Sequence, residues 1–217
     1  MITPRKAQRG QAVIETVVVI AVFGVFLLGL FQMILFYRAK SLVDYAALQA
    51  ARSGAVHGAQ LSAMKTGLAR GLMPLYTHSP SNTAATEAYA EALVAANNPL
   101  TAHIEVISPT RAAFADWKER QYDGVDAIPN DSLPYRSSAP GGRSGLTVQD
   151  ANVLKIRVVY GYKMIVPVVD KIVIAAVRLS GGLSAQERLM LESGRLPIVA
   201  QAIVRMQTPI RDSGALR

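Results

Sequence analysis

Glu15 is a lone carboxylate at the head of an apolar run in which, from Thr16 to Phe36, only Thr16 and Gln32 are strongly polar. A charge at the edge of a membrane-length helix is costly, so it is usually kept for a function. In low dielectric, pairing with a cation repays the desolvation of both groups. The alternative is a side chain snorkelling to the interface, which Glu does less readily than Lys or Arg. Elsewhere the residue types that do chemistry are scattered. His57, His78 and His103 are not spaced with one another, or with a carboxylate, as metal ligands would be. No Gly-x-Ser-x-Gly elbow occurs. Gly141-Gly142-Arg143-Ser144-Gly145 lacks the Lys-Ser/Thr ending of a phosphate loop and reads as a flexible turn. Asp123, Asp126 and Asp131 cluster but miss the EF-hand spacing, so a calcium site competes there with a solvated acidic loop. There is no cysteine, which excludes disulfides, Cys–metal sites and thiol nucleophiles. The expectation is a chain that is not an enzyme and needs neither metal nor cofactor.

The element that carries Glu15 is long. Thr16–Phe36 is 21 residues, about 30 Å of helix and so the depth of a bilayer core. A cleaved secretory signal has an apolar region of roughly 7–15 residues followed by a small-residue site. This run is longer, and no such site follows Phe36-Tyr37-Arg38. An ordinary uncleaved signal anchor accommodates the run but gives no reason for Glu15. Arg5, Lys6 and Arg9 precede the run without an acidic partner and supply three of the charges behind the formal net +8. They read as a topology signal that holds the N-terminus in the cytoplasm and exports the rest. Arg38 and Lys40 weaken that asymmetry, and Asp44 follows them. The remaining basic residues lack the aromatic interleaving of a nucleic-acid surface, so no nucleic-acid partner is expected.

Tyr37–Leu72 lacks Pro and is rich in helix formers. Leu42, Ala46 and Ala50 recur at spacing four, as do Val43, Ala47, Ala51 and Ala55, and Leu61, Met64, Leu68 and Leu72 continue the stripe. A kink or break is expected near Gly54–Gly58, and Pro74 with the polar stretch 77–83 ends the helix. The small-residue face of Ala47, Ala51, Gly54 and Ala55 suits close helix approach. It could serve other subunits or the chain's own head. Beyond it the spacing predicts a helix at 86–97, a strand at 102–107, and mostly loop at 108–150 with one helical turn near 112–120. Strands are predicted at 152–162 and 196–207, and a short helix at 185–192. Pro167–Val177 reads as a helix or a strand. Trp117 and Tyr122 are core residues under the long loop or an exposed contact patch. The fold class is α+β, with a long N-terminal helix, transmembrane and then amphipathic, followed by a small antiparallel-sheet head. The expected divisions are 1–10, 11–72 and 73–217.

The start of the chain resembles the processing signal of type IV pilins and pseudopilins, with a basic leader ending in Gly10, then Gln11, then Glu15. Gln49-Ala50-Ala51-Arg52-Ser53-Gly54-Ala55 resembles the small-residue signature that follows the anchor in TadE-like proteins, minor pilin-like subunits of tight adherence (Tad, or Flp) pili. Gln201-Ala202-Ile203-Val204-Arg205-Met206-Gln207 resembles that family's closing strand. One departure is Thr16 after Glu15, where the family often has Phe. It keeps a type II secretion or type IV pilus pseudopilin open, beside a signal-anchored periplasmic binding protein or enzyme. The resemblance implies a pilin-like head and a leader cut off by a prepilin peptidase between Gly10 and Gln11. Gly10, with no side chain to clash, suits the position before the cut bond. Glu15 would then lie about one turn into the mature helix, within reach of a neighbouring subunit's N-terminal ammonium. The implied partners are the prepilin peptidase, other Tad pilus subunits, the inner-membrane assembly platform and the lipid bilayer. The implied location is the bacterial inner membrane, single-pass, with the head periplasmic and incorporation into an extracellular pilus as an option.

Overall fold

The computed structural model describes residues 9–212 and 214–217, with side chains from Val13 onward. The basic leader expected at 1–10 lies outside the described residues up to Gln8. Helix α1 spans Arg9–Val56, 48 residues in one piece and about 72 Å long. Its two halves have different surroundings. Val17, Val22, Phe23, Phe26 and Ile34 are exposed, whereas Ala39, Val43, Ala46, Ala47, Ala50 and Ala51 are buried.

The expected break falls where a glycine permits it. The Ala59 N–H reaches back to the Gly54 carbonyl (2.9 Å), and Gly58 turns the chain at φ +63°. This is a Schellman-type stop, which needs a left-handed residue at that point. Helix α2 (Leu61–Tyr76) then runs back antiparallel along α1 and takes Pro74 into its last turn. The pairing is close. A Cβ on Gly71 would stand 2.4 Å from the Ala46 Cα, and one on Gly67 would stand 2.7 Å from the Gln49 carbonyl oxygen. These glycines weaken α2 as an isolated helix and are the reason it can lie against the alanine face of α1.

After the hairpin come α3 (Asn82–Asn97), β1 (Ala102–Ser108), α4 (Arg111–Trp117), β2 (Glu119–Arg120), β3 (Asp126–Ile128), a 3-10 turn (Leu133–Tyr135), α5 (Val148–Ala151), β4 (Val153–Tyr162), α6 (Val169–Ser180), α7 (Ala185–Glu192), β5 (Leu196–Arg205) and β6 (Ile210–Arg211). The main sheet is antiparallel in the order β1–β4–β5, with Val153 opposite Arg205 and Tyr162 opposite Leu196. It lies lengthwise on the second half of α1. Leu154 stands by Gly54, and the Tyr162 ring meets Phe36 edge-on at 6.2 Å between centroids. The core therefore sits between the α1–α2 hairpin and the sheet, where Met64, Leu68, Leu72, Ile156, Val158 and Ile198 are buried. The stretch 167–177 resolves as helix only from Val169, two residues after Pro167, and the helix runs on to Ser180; Val169, Val173 and Val177, at spacing four, form one side.

The stretch 108–150 holds more structure than expected. β3 pairs with β2 and with the distant β6, forming a second small sheet. Buried Asn152 joins it to the main sheet by donating to the Pro129 and Val148 carbonyls (both 2.9 Å) while its own oxygen accepts from Asn130 (3.0 Å). The segment after β5 closes the fold on the end of α1: the Gln207 N–H donates to the Ala55 carbonyl (3.0 Å) and the Arg211 N–H to the Gly58 carbonyl (3.1 Å). Carbonyls that a helix end leaves without intrahelical partners are thereby satisfied. If the hairpin seam is as tight as this, Gly71→Ala lowers unfolding stability by about 1–3 kcal/mol, the usual range for overpacking. Gly24→Ala, where a Cβ meets open space, does not. Denaturant melts of both variants in detergent micelles check the pair.

Candidate membrane anchor and assembly interface

The backbone of Gly10 and Gln11 lies in the first turns of α1. Glu15 is exposed on the same helix. Among the described residues the head docks on α1 from about Phe26 onward. The exposed first half of α1 is apolar on all sides, a pattern of helices buried in membranes or large cores. It is the one helix among the described residues that is long and apolar enough to cross a membrane.

The small-residue face has a different place. Ala47, Ala51 and Ala55 are buried within this chain. A Cβ on Gly54 would stand 2.7 Å from Met64 Cγ and 3.0 Å from Leu154 Cδ2. In this signature segment Arg52 points to solvent, and the Ser53 hydroxyl donates to the Ala63 carbonyl (2.7 Å). The alternation of buried alanines with one exposed arginine is thus accounted for by the docking of the chain's own α2 and β4.

Gln32 is the residue whose role the sequence hid. Only 2% of it is exposed, although it lies in the apolar half of α1. Its Oε1 accepts the backbone N–H groups of Val166 (2.9 Å) and Ile165 (3.2 Å). The interruption in the apolar run is therefore the attachment point for the segment leading into α6. A lone Gln in an apolar window is a visible signal, but its partner is more than a hundred positions away.

The acidic cluster is divided among separate cations. Asp126 pairs with Lys118 (3.0 Å), Asp131 with Arg136 (3.2 Å), and Asp123 with Arg211. No group of three or more His, Cys, Asp or Glu among the described residues is placed to hold a metal. His57, His78 and His103 are exposed at separate places, with His57 Nδ1 2.8 Å from the Ser53 carbonyl oxygen. Trp117 and Tyr122 part company: Trp117 is half-buried and donates to the Leu146 carbonyl (3.0 Å), whereas Tyr122 is fully exposed.

The glycine-rich turn wraps an internal carboxylate. Asp116 accepts the backbone N–H groups of Arg143 (3.0 Å) and Ser144 (2.8 Å) and the Ser144 hydroxyl (2.8 Å). Desolvation acts to raise this carboxyl, but the hydrogen bonds from Ser144 and Arg143, with the Arg143 charge, outweigh it and hold it below the usual range. On the other side of the head the Tyr76 and Tyr160 hydroxyls meet at 2.9 Å, and burial pushes both phenols up.

Residues 10–52 match the family model described as TadE-like protein. The matched segment is α1 almost whole, from the Gly10 backbone through the exposed half to the buried alanines, and it stops short of α2. The C-terminal segment 201–207 lies outside it. No curated protein and no solved structure gives a match to the chain. The TadE-like match supports a part in Tad pilus systems in general, and the single apolar helix fits a single-pass membrane anchor.

The Asp116 cradle gives a pH prediction with a definite sign. Its carboxyl is lowered on folding, so its contribution is complete above the unfolded carboxylate pKa, about 3.9, and disappears as pH falls through the folded value. Trp117, the chain's single tryptophan, adjoins it as a reporter. Its emission should shift red on acidification below about pH 4 in the natural sequence. In Asp116→Asn the shift should already be present at neutral pH.

Proposed function

We propose that the chain is a processed, membrane-anchored minor pilin, or pseudopilin, that takes part in assembling a Tad-type pilus. The observation that carries this reading is the division of α1, whose second half is occupied by the head while the half bearing Glu15 is uncovered. An uncovered apolar helix suits the bilayer before assembly and the helices of other subunits afterwards, with no catalysis required of the head.

In this reading a prepilin peptidase cuts Gly10–Gln11 on the cytoplasmic side, and the head stands in the periplasm. The cut creates an ammonium at Gln11. Glu15 of one subunit accepts it from another, and the two charges, expensive when separate in an apolar surrounding, neutralise each other and fix the stagger between helices. The buried face of Ala47, Ala51, Gly54 and Ala55 is committed to the chain's own head, so contacts with other subunits fall on the first half of α1 and on the outer head surface. The assembly platform acts on the membrane-held form.

Two substitutions separate the steps. Gly10→Val should block cleavage while leaving membrane insertion intact. Glu15→Ala should be cleaved normally yet reduce pilus assembly by an order of magnitude or more, roughly what removing one partner of a desolvated ion pair costs. Immunoblots of membrane and sheared-pilus fractions read both. Normal assembly by Glu15→Ala would refute the charge-pairing role.

A further inference from the structure

The segment 163–195 leaves the main sheet at its end nearest the exposed half of α1. β4 ends at Tyr162, whose ring meets Phe36, and β5 begins opposite at Leu196. Between them the chain runs on towards the N-terminal end of α1, not outward into solvent. Gln32 holds it there through the Ile165 and Val166 N–H groups. Backbone donors at hydrocarbon depth need an internal acceptor, and a Gln placed among apolar residues supplies one. The apolar run Thr16–Phe36 is 21 residues, about 30 Å of helix and so one hydrocarbon thickness. A bilayer seated on it has its outer boundary near Phe36, one turn beyond Gln32, so Gln32 and the start of α6 lie within a turn of that boundary.

α6 has the composition that this depth requires. Val169, Val173 and Val177 face α1, where they and Phe26, Leu30 and Met33 line an apolar groove of about 720 Å³. The adjoining face, Ile172, Ala175, Ala176 and Leu179, is exposed. Leu179 is 88% exposed, and Ile165 and Val168 just before the helix are exposed too. Asp170, Lys171, Ile174 and Arg178 form the remaining side, with Ile174 half-buried against the head and Lys171 and Arg178 exposed. Lys163, Lys171 and Arg178 have no ion-pair partner among the described residues. An amphipathic helix with a bare apolar face and free cations is the pattern of an element lying in the plane of a bilayer surface. Free Lys and Arg at the headgroup level suit anionic phospholipid.

We infer that α6 is a second membrane-contacting element, lying in the outer headgroup boundary of the bilayer that α1 crosses, with phospholipid acyl chains covering Ile172 and Leu179 and filling the groove against α1. This rests on α1 being the anchor. The head would then be held at two points and fixed in tilt, so extraction into a pilus must free α6 as well as α1.

The chain has no cysteine, so single nitroxide labels can be placed without altering it otherwise. Val22→Cys, Lys171→Cys, Ile172→Cys and Leu179→Cys are each made in the full chain. They are reconstituted in vesicles of phosphatidylethanolamine and phosphatidylglycerol at three to one. Collisional relaxation by oxygen and by a water-soluble nickel chelate gives depth. The inference expects labels at 172 and 179 to favour oxygen several-fold, the label at 171 to favour nickel, and the label at 22 to be deepest. Labels at 172 and 179 that favour nickel while 22 remains deep would overturn it and leave the anchor intact. Dipolar broadening between copies at 172 and 179, lost on dilution with unlabelled protein, would overturn it in favour of a second copy of the chain as the occupant. Nickel access at 22 would remove the anchor reading and the inference together.

Discussion

The constraint on which the structure depends is that one unbroken helix must satisfy two surroundings. At about 1.5 Å per residue, α1 is far longer than a small head can cover. Its second half solves the problem with alanines. Val43, Ala46, Ala47 and Ala50 let α2 approach until Gly67 and Gly71 touch the α1 backbone, and the main sheet lies along the other side. The first half has large apolar side chains all round and no small-residue seam for the head to grip. The change of composition near Ala39 thus marks where close packing on the hairpin gives way to a half of α1 that is mostly exposed and apolar.

From that division the remaining features follow in order. The sheet must run parallel to the second half of α1, which puts Leu154 by Gly54 and Tyr162 by Phe36. The segment after β5 must return to the end of α1, and it does so by capping the Ala55 and Gly58 carbonyls. The connection between β4 and β5 emerges at the boundary of the two halves, where Gln32 takes hold of it. The salt bridges Lys118–Asp126 and Arg136–Asp131 in the stretch 108–150 are largely exposed pairs. Such pairs contribute little to stability, so they trim loops rather than define the architecture.

Much of this was legible in the sequence because the signals are periodic and local. The apolar run, the alanine stripe and the alternation of β1, β4 and β5 all act within a few residues of themselves. The α+β class and the order of the main elements were read from them. The long stretch 108–150 was not, because β2 and β3 are two and three residues long and β3 completes its pairing with β6 at the far end of the chain. Gly67 reads as a weakness in the sequence, since propensity is a property of one helix and close approach a property of two. Asp116 was missed for a similar reason: its cradle consists of backbone N–H groups from another loop, which no side-chain pattern reveals. Gln32 was visible as an interruption but not as an acceptor. For the anchor end the balance is reversed: the roles proposed for Gly10, Gln11 and Glu15 rest on type and spacing alone, and Glu15 is exposed on the fold.

The most direct test of the account is the mass and N-terminal sequence of the protein extracted from membranes, with and without an active prepilin peptidase. A chain starting at Gln11 only when the peptidase is active is the result the account predicts. An intact leader in the presence of active peptidase would contradict it and reduce α1 to the signal anchor of a periplasmic head.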